Sequence, residues 1–79
     1  MESINVEIVT AAIRLDGLLK FSGLAGTGGE AKHLIQSGHI RLNGTIEVRR
    51  STRVVPGDRV ELLDVEGRVH TLLEVRPGS

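Results

Sequence analysis

Ile4, Val6 and Ile8 alternate with Asn5 and Glu7, the period-two pattern of a half-buried strand. After a short linker through Ala11 and Ala12, Leu15, Leu18, Leu19 and Ser22 recur at helical spacing. This predicts a short helix from about Leu15 to Ser22, with Asp16 in its first turn and Gly23 ending it. A longer helix capped by Thr10 is disfavoured by Gly17 and by the β-like stretch before it. Thr27-Gly28-Gly29-Glu30 then fits a capping box, in which the Thr hydroxyl and the Glu carboxylate satisfy each other's backbone donors. Ala31, Leu34 and Ile35 form the buried face of this second helix, Lys32, His33 and Gln36 point elsewhere, and Gly38 closes it.

Beyond Gly38 the period becomes two. Ile40 and Leu42 face one way and Arg41 the other, Asn43-Gly44 is the favoured pair for a two-residue hairpin turn, and Ile46 and Val48 continue as the partner strand. Arg49 to Arg53 reads as a loop and Pro56-Gly57-Asp58 as a turn into a third strand through Val60 and Leu62. Glu66-Gly67 precedes a last strand ending near Val75, and Arg76 to Ser79 is expected to fray. No repeat or long linker divides the chain, so residues 1–79 are expected to form a single domain of the α+β class.

Composition narrows the chemistry. With 79 residues and no cysteine, two catalytic lobes around a deep cleft, disulfides and thiolate metal sites all drop out. No segment approaches the roughly 20 apolar residues that cross a bilayer, and Met-Glu-Ser is not the basic start of a signal peptide, so a cytoplasmic protein with no membrane partner is expected. Phe21 is the only aromatic ring besides three histidines, which leaves little on which bases can stack.

Ten basic and ten acidic side chains sum to zero, but unevenly. From Arg14 to Arg59, eight basic residues (Arg14, Lys20, Lys32, Arg41, Arg49, Arg50, Arg53, Arg59) stand against four acidic ones, a net of +4. The flanks hold two basic and six acidic residues, a net of −4. A basic stretch of this kind is the electrostatic footprint of a protein that meets a polyanion, although charges also simply decorate solvated faces.

Enzymatic readings lack their parts. His33, His39 and His70 have no metal-ligand spacing, and Gly26-Thr27-Gly28-Gly29 lacks the Lys-Ser/Thr ending of a nucleotide loop. Asp16 and Glu30 both have a structural role in a first helical turn. No nucleophile, base and orienting group occur together, so no catalytic residue, metal or cofactor is expected. Binding fares better, since arginines neutralise phosphates and a helix N-terminus with two glycines admits an anionic backbone closely. Without aromatic platforms, recognition is expected to rest on phosphates, ribose hydroxyls and helix shape, the mode used on structured RNA.

Arg14-Leu15-Asp16, Leu19, Gly23-Leu24-Ala25, Ala31-Lys32, Leu34-Ile35, Gly38-His39-Ile40, Leu42-Asn43-Gly44 and Val55-Pro56-Gly57-Asp58 together closely resemble the S-four RNA-binding domain, also called the alpha-L motif. The resemblance runs without a gap from Arg14 to about Leu62, 49 of 79 residues. Gly28-Gly29-x-Ala31-Lys32 with Arg49-Arg50 is most similar to the small stand-alone members of the YaaA and YbcJ group. The resemblance implies two short helices packed on a small, mainly antiparallel sheet of about four to five strands, presenting a basic face to ribosomal or other structured RNA. That face would comprise Arg14, Asp16 as an orienting partner, Thr27, Gly28, Lys32, Arg41 and Asn43, extended by Arg49, Arg50 and Arg53. Thr27-Gly28 stands where many members carry Ser-Arg, so a phosphate-binding arginine is absent and the later arginines are its compensation.

Bland alternatives exist for several of these residues: Arg14 as a helix anchor, Asn43 as a turn residue, His39 as a satisfied partner beside Gly38, and Lys20 as a solvated charge. The expected function is non-enzymatic binding of structured RNA by a monomer, with ribosomal RNA or a ribosomal particle first and transfer RNA second. The alternative is a small protein-interaction adaptor in ribosome assembly or translation, docking through the acidic flanks or a strand edge. An RNA-modifying enzyme would need a separate catalytic domain.

Overall fold

The computed structural model describes Met1 to Gly78 and consists of β1 (Glu2–Ile8), β2 (Ile13–Arg14), α1 (Leu15–Phe21), α2 (Gly28–Gln36), β3 (Ile40–Leu42), β4 (Thr45–Ile46), β5 (Arg53–Val54), β6 (Arg59–Leu63) and β7 (Val69–Pro77). Five strands form one sheet in the order β1-β7-β6-β3-β4, antiparallel except for the parallel β1–β7 pair. β2 and β5 form a separate antiparallel ladder. The fold is therefore α+β, two helices with a mainly antiparallel sheet, as the sequence predicts.

Local chemistry accounts for the joints. Gly38 adopts φ 81°, and the bonds His39 N–H to Leu34 O (3.1 Å) and Gly38 N–H to Ile35 O (3.2 Å) close α2 as a Schellman motif. Asn43 and Gly44 both take positive φ (51° and 87°), the two-residue turn whose twist matches a hairpin. At the start of α2, Thr27 Oγ1 accepts the Glu30 N–H at 3.1 Å, but the Glu30 carboxylate reaches Gly26 N (3.0 Å), one residue earlier than a strict capping box.

Leu15, Leu18 and Leu19 of α1, Ala31 and Ile35 of α2, and Val6, Ile40, Val60, Leu73 and Val75 of the sheet join one buried apolar cluster. Alternation then leaves Asn5, Arg41, Arg59, Glu61 and Glu74 on the opposite, solvated side of the sheet. Cross-strand register places Arg41 opposite Glu61 and Arg59 opposite Glu74, giving ion pairs at 3.1 and 3.8 Å, and Arg76 adds a second cation to Glu74 at 3.1 Å.

Three further expectations need correction. Val48 does not continue the hairpin: β4 ends at Ile46 after two residues, and both Ile46 and Val48 are exposed, so no buried face draws the chain on. The segment before α1 and the end of the arginine-rich loop are not irregular throughout, because Ile13 pairs with Val54 and Arg14 with Arg53. Nor does the chain fray from Arg76. Arg76 and Pro77 pair with Glu7 and Ile8 of β1, Arg76 Nε donates to Asn5 Oδ1 at 3.0 Å, and Gly78 N–H donates to Ile8 O at 2.6 Å. Close approach explains the glycine, since a Cβ at Gly78 would lie 2.8 Å from Val9 Cγ1 and 3.2 Å from Ile8 O. Ser79, the remainder of that expected tail, lies outside the described residues.

Deleting residues 76–79 is therefore expected to cost about 1 kcal/mol or more in hydrogen bonds, lowering the midpoint of thermal unfolding by about 4–8 °C for a chain of this size. Circular dichroism melting measures this directly, and an unchanged midpoint would restore the frayed tail.

Candidate functional site

α1 begins without a side-chain cap, because its N-cap residue is Arg14. Two of its first three amide donors are satisfied by the later loop, Leu15 N–H by Thr52 O (2.9 Å) and Asp16 N–H by Arg50 O (3.0 Å), and the third, Gly17 N–H, by the Asp16 carboxylate of the helix itself (2.8 Å). The arginine-rich loop thus serves as the cap of a helix more than thirty residues earlier, which fixes its backbone.

Asp16 organises the side chains above this contact. Its Oδ1 accepts Arg14 Nε at 3.1 Å, and its Oδ2 accepts Arg14 Nη2 at 3.1 Å and Arg50 Nε at 2.9 Å. The Asp16 side chain is 10% exposed, against 60% for Arg14 and 41% for Arg50, so the carboxylate is enclosed while the guanidinium groups face water. Burial pushes the Asp16 pKa up, but hydrogen bonds from Arg50, Arg14 and the Gly17 amide outweigh it and hold the carboxyl below its ordinary value. Glu47 plays a smaller part beside it: its Oε2 accepts the Val48 and Arg49 amides at 3.0 and 3.2 Å and lies 3.5 Å from Arg49 Nε. The Arg49 amide bond leads in lowering the Glu47 pKa, against desolvation that raises it.

Arg14, Asp16, Arg50 and Arg53 are thereby brought to one corner, with Arg49 adjacent along the chain. Its four arginines face two carboxylates, Asp16 and Glu47, a surplus of two positive charges. Arg53 has no carboxylate within 4.0 Å among the described residues.

The remaining predicted residues lie on other elements. Arg41 is spent on Glu61 across the solvated sheet face. Asn43 is committed to its turn, donating Nδ2 to Asp58 Oδ1 at 3.0 Å and accepting the Arg59 N–H at 2.9 Å. Thr27 caps α2 and Lys32 is exposed on it, in no ion pair among the described residues. At Gly28 nothing stands within 4 Å of where a Cβ would be, so a longer side chain has open space there. Reasoning from sequence overlooked Glu47 and Ser51. Glu47 two residues before Arg49 was the available signal for the first, whereas Ser51 enters only because the ladder turns the loop toward Arg14.

Asp16→Asn is expected to destabilise the fold by about 2 kcal/mol, the scale of hydrogen bonds to a charged group. Because the folded pKa of Asp16 lies below its unfolded value of about 3.9, its stabilisation is complete above that value and is lost as pH falls through the folded pKa. Melting midpoints followed from pH 7 downward should drop below about pH 4, with a shallower decline in Asp16→Asn. Parallel curves would remove Asp16 as the source.

With this geometry established, the chain compares closely with known proteins. A family model described as the S4 domain matches residues 6–70. The small ribosomal subunit proteins uS4 of Anaeromyxobacter sp. (strain K) and of Anaeromyxobacter dehalogenans (strain 2CP-1 / ATCC BAA-258) are each 37% identical to it over 65 residues, 82% of this chain. The chain spans 31% of the length of these curated relatives. The match extends beyond the Arg14–Leu62 motif to take in part of β1 and the start of β7, and the chain belongs to the S4 domain family.

Proposed function

We propose that the chain is a non-enzymatic RNA-binding protein, residues 1–79 acting as one S4 domain that grips structured RNA by its phosphates. Ribosomal RNA, free or in a ribosomal particle, is the preferred ligand, in keeping with relatives that are small ribosomal subunit proteins, and transfer RNA is the second candidate. Such a role belongs to the cytoplasm and to a monomer, and no described helix is long and apolar enough to cross a membrane. The observation that carries the reading is the corner itself: two arginines, Arg14 and Arg50, meet about a single enclosed carboxylate, with Arg53 across the ladder from Arg14, on a backbone held by the cap of α1. Guanidinium forks held in place this way suit phosphate oxygens, because little side-chain freedom is left to lose on binding. Arg49, and Lys32 with Thr27 and Gly28 at the start of α2, would extend the contact. Arg41 and Asn43 contribute least, since Glu61 and Asp58 already occupy them.

Arg50 cannot be reversed to test this, because a glutamate there would face Asp16. Lys32→Gln combined with Arg49→Gln spares the clamp and is expected to weaken binding to a ribosomal RNA fragment by about tenfold. The slope of log affinity against log salt should shrink by roughly two, one for each phosphate contact removed. Gly28→Arg works in the opposite direction, supplying the arginine many family members carry, and is expected to tighten binding several-fold. Filter binding at several salt concentrations measures both, and no detectable affinity of the native chain for structured RNA would defeat the reading.

A second reading, a protein-docking adaptor, is favoured by one observation: β1 lies at the edge of the sheet and pairs only with β7 among the described strands. Capture from lysate before and after ribonuclease treatment separates the two, since an adaptor keeps its partners once RNA is destroyed.

A further inference from the structure

We infer that Arg14 and Arg53 form a two-armed seat for one phosphate group. The inference rests on the RNA-binding reading for its biological ligand, a phosphodiester of the RNA backbone, but its chemistry stands on the β2–β5 ladder.

That ladder has only two residue pairs. Ile13 and Val54 turn inward, Val54 being fully buried, which leaves Arg14 and Arg53 directly opposite each other on the solvent side. Facing residues have Cβ atoms only about 4.5–5.5 Å apart, and like charges so placed are destabilising. The sheet elsewhere avoids this, setting Arg41 against Glu61 and Arg59 against Glu74. Arg53 is exposed and in no ion pair among the described residues, while its neighbour Val54 is the buried residue of the strand.

Nor can the nearest carboxylate resolve the repulsion. Asp16 Oδ1 is taken by Arg14 Nε and the Gly17 amide, and Oδ2 by Arg14 Nη2 and Arg50 Nε. Between the two arginines lies a shallow pocket of about 230 Å³ lined by Ala12, Ile13, Arg14, Ser51 and Arg53. Its donors are two guanidinium groups and one hydroxyl, and its other walls are small or apolar. A phosphate, with several oxygens around one centre, accepts from the Arg53 fork, from the Arg14 N–H groups that Asp16 leaves free and from Ser51 at once, which a planar carboxylate does less well. Asp16 offsets part of the Arg14 charge, and an anion in the pocket relieves the repulsion that remains.

Stability and binding should therefore move in opposite directions at this position. Arg53→Glu places a carboxylate opposite Arg14 and is expected to raise the melting midpoint by about 2–4 °C, with Arg53→Gln intermediate. The same Arg53→Glu change should weaken RNA binding at least tenfold and reduce the salt slope by about one. Inorganic phosphate at about 10 mM, compared with chloride at equal ionic strength, should raise the midpoint of the native chain by about 1–2 °C and leave Arg53→Glu unmoved.

A lower midpoint in Arg53→Glu, or a phosphate response that survives the substitution, would overturn the seat. If phosphate acts through Arg53 yet no structured RNA binds, the seat stands as a site for free phosphate and the functional reading falls. If RNA binds and is weakened by the Lys32 and Arg49 changes but not by Arg53→Glu, the reading stands and the seat falls.

Discussion

Everything at the basic corner depends on one enclosed carboxylate. Asp16 accepts four hydrogen bonds, from Arg14, Arg50 and its own helix, and so joins the start of α1 to a loop 34 residues away. Without it, two half-exposed guanidinium groups would repel one another beside the amide end of a helix, where the dipole already disfavours positive charge. With it, they become fixed features of the surface. An ion pair is commonly worth little when both members are exposed. Here the carboxylate is enclosed and the bonds are several, so the pair orders the loop as well as balancing charge.

The zero net charge of the chain takes on a spatial meaning. On the solvated face of the sheet, Arg41, Arg59 and Arg76 pair with Glu61 and Glu74, and Glu7 stands opposite Arg76 in register, so three cations meet three carboxylates. At the corner, four arginines against two carboxylates do not cancel. Screening limits the reach of exposed charge to about 8 Å at physiological salt. A distant polyanion therefore meets a neutral object, while one that touches the corner meets a local surplus. Orientation then counts for more than attraction from afar. The stretch from Arg14 to Arg59 overstates the basic face, because Arg41 and Arg59 are answered by Glu61 and Glu74 from the acidic flank.

What the sequence makes legible is whatever is encoded within about five residues. Gly38 and the Asn43-Gly44 turn behave as their conformational preferences require, and the Thr27 cap forms as its spacing predicts. Arg14, Asp16 and the later arginines are likewise visible as candidates, partly through the resemblance they carry. What stays hidden is set by partners far along the chain. The β2–β5 ladder has two residues on each side, too few for any alternation to register, and exists because Leu15 and Asp16 find their acceptors at Thr52 and Arg50. Arg76 and Pro77 read as a polar tail but are held as a strand by β1, at the other end of the chain. Arg41 alternates outward as expected, yet only the register of β3 against β6 reveals that Glu61 awaits it.

A chain of this length has little stability to spare, and this bears on where a binding surface can sit. A flexible loop carrying three arginines would lose chain entropy twice, once for the backbone and again for each long side chain, when it meets its ligand. Here the backbone of that loop is ordered during folding, because its carbonyls are the acceptors α1 lacks, and the Asp16 carboxylate aligns two of the side chains before any ligand arrives. The same hydrogen bonds therefore serve the fold and the surface. Arg53 is the exception, since no carboxylate among the described residues pairs with it and its neighbour across the ladder repels it. A side-chain charge that finds no carboxylate among the described residues and opposes its partner across the ladder makes sense in terms of something outside the protein, and the charge around it fits an anion.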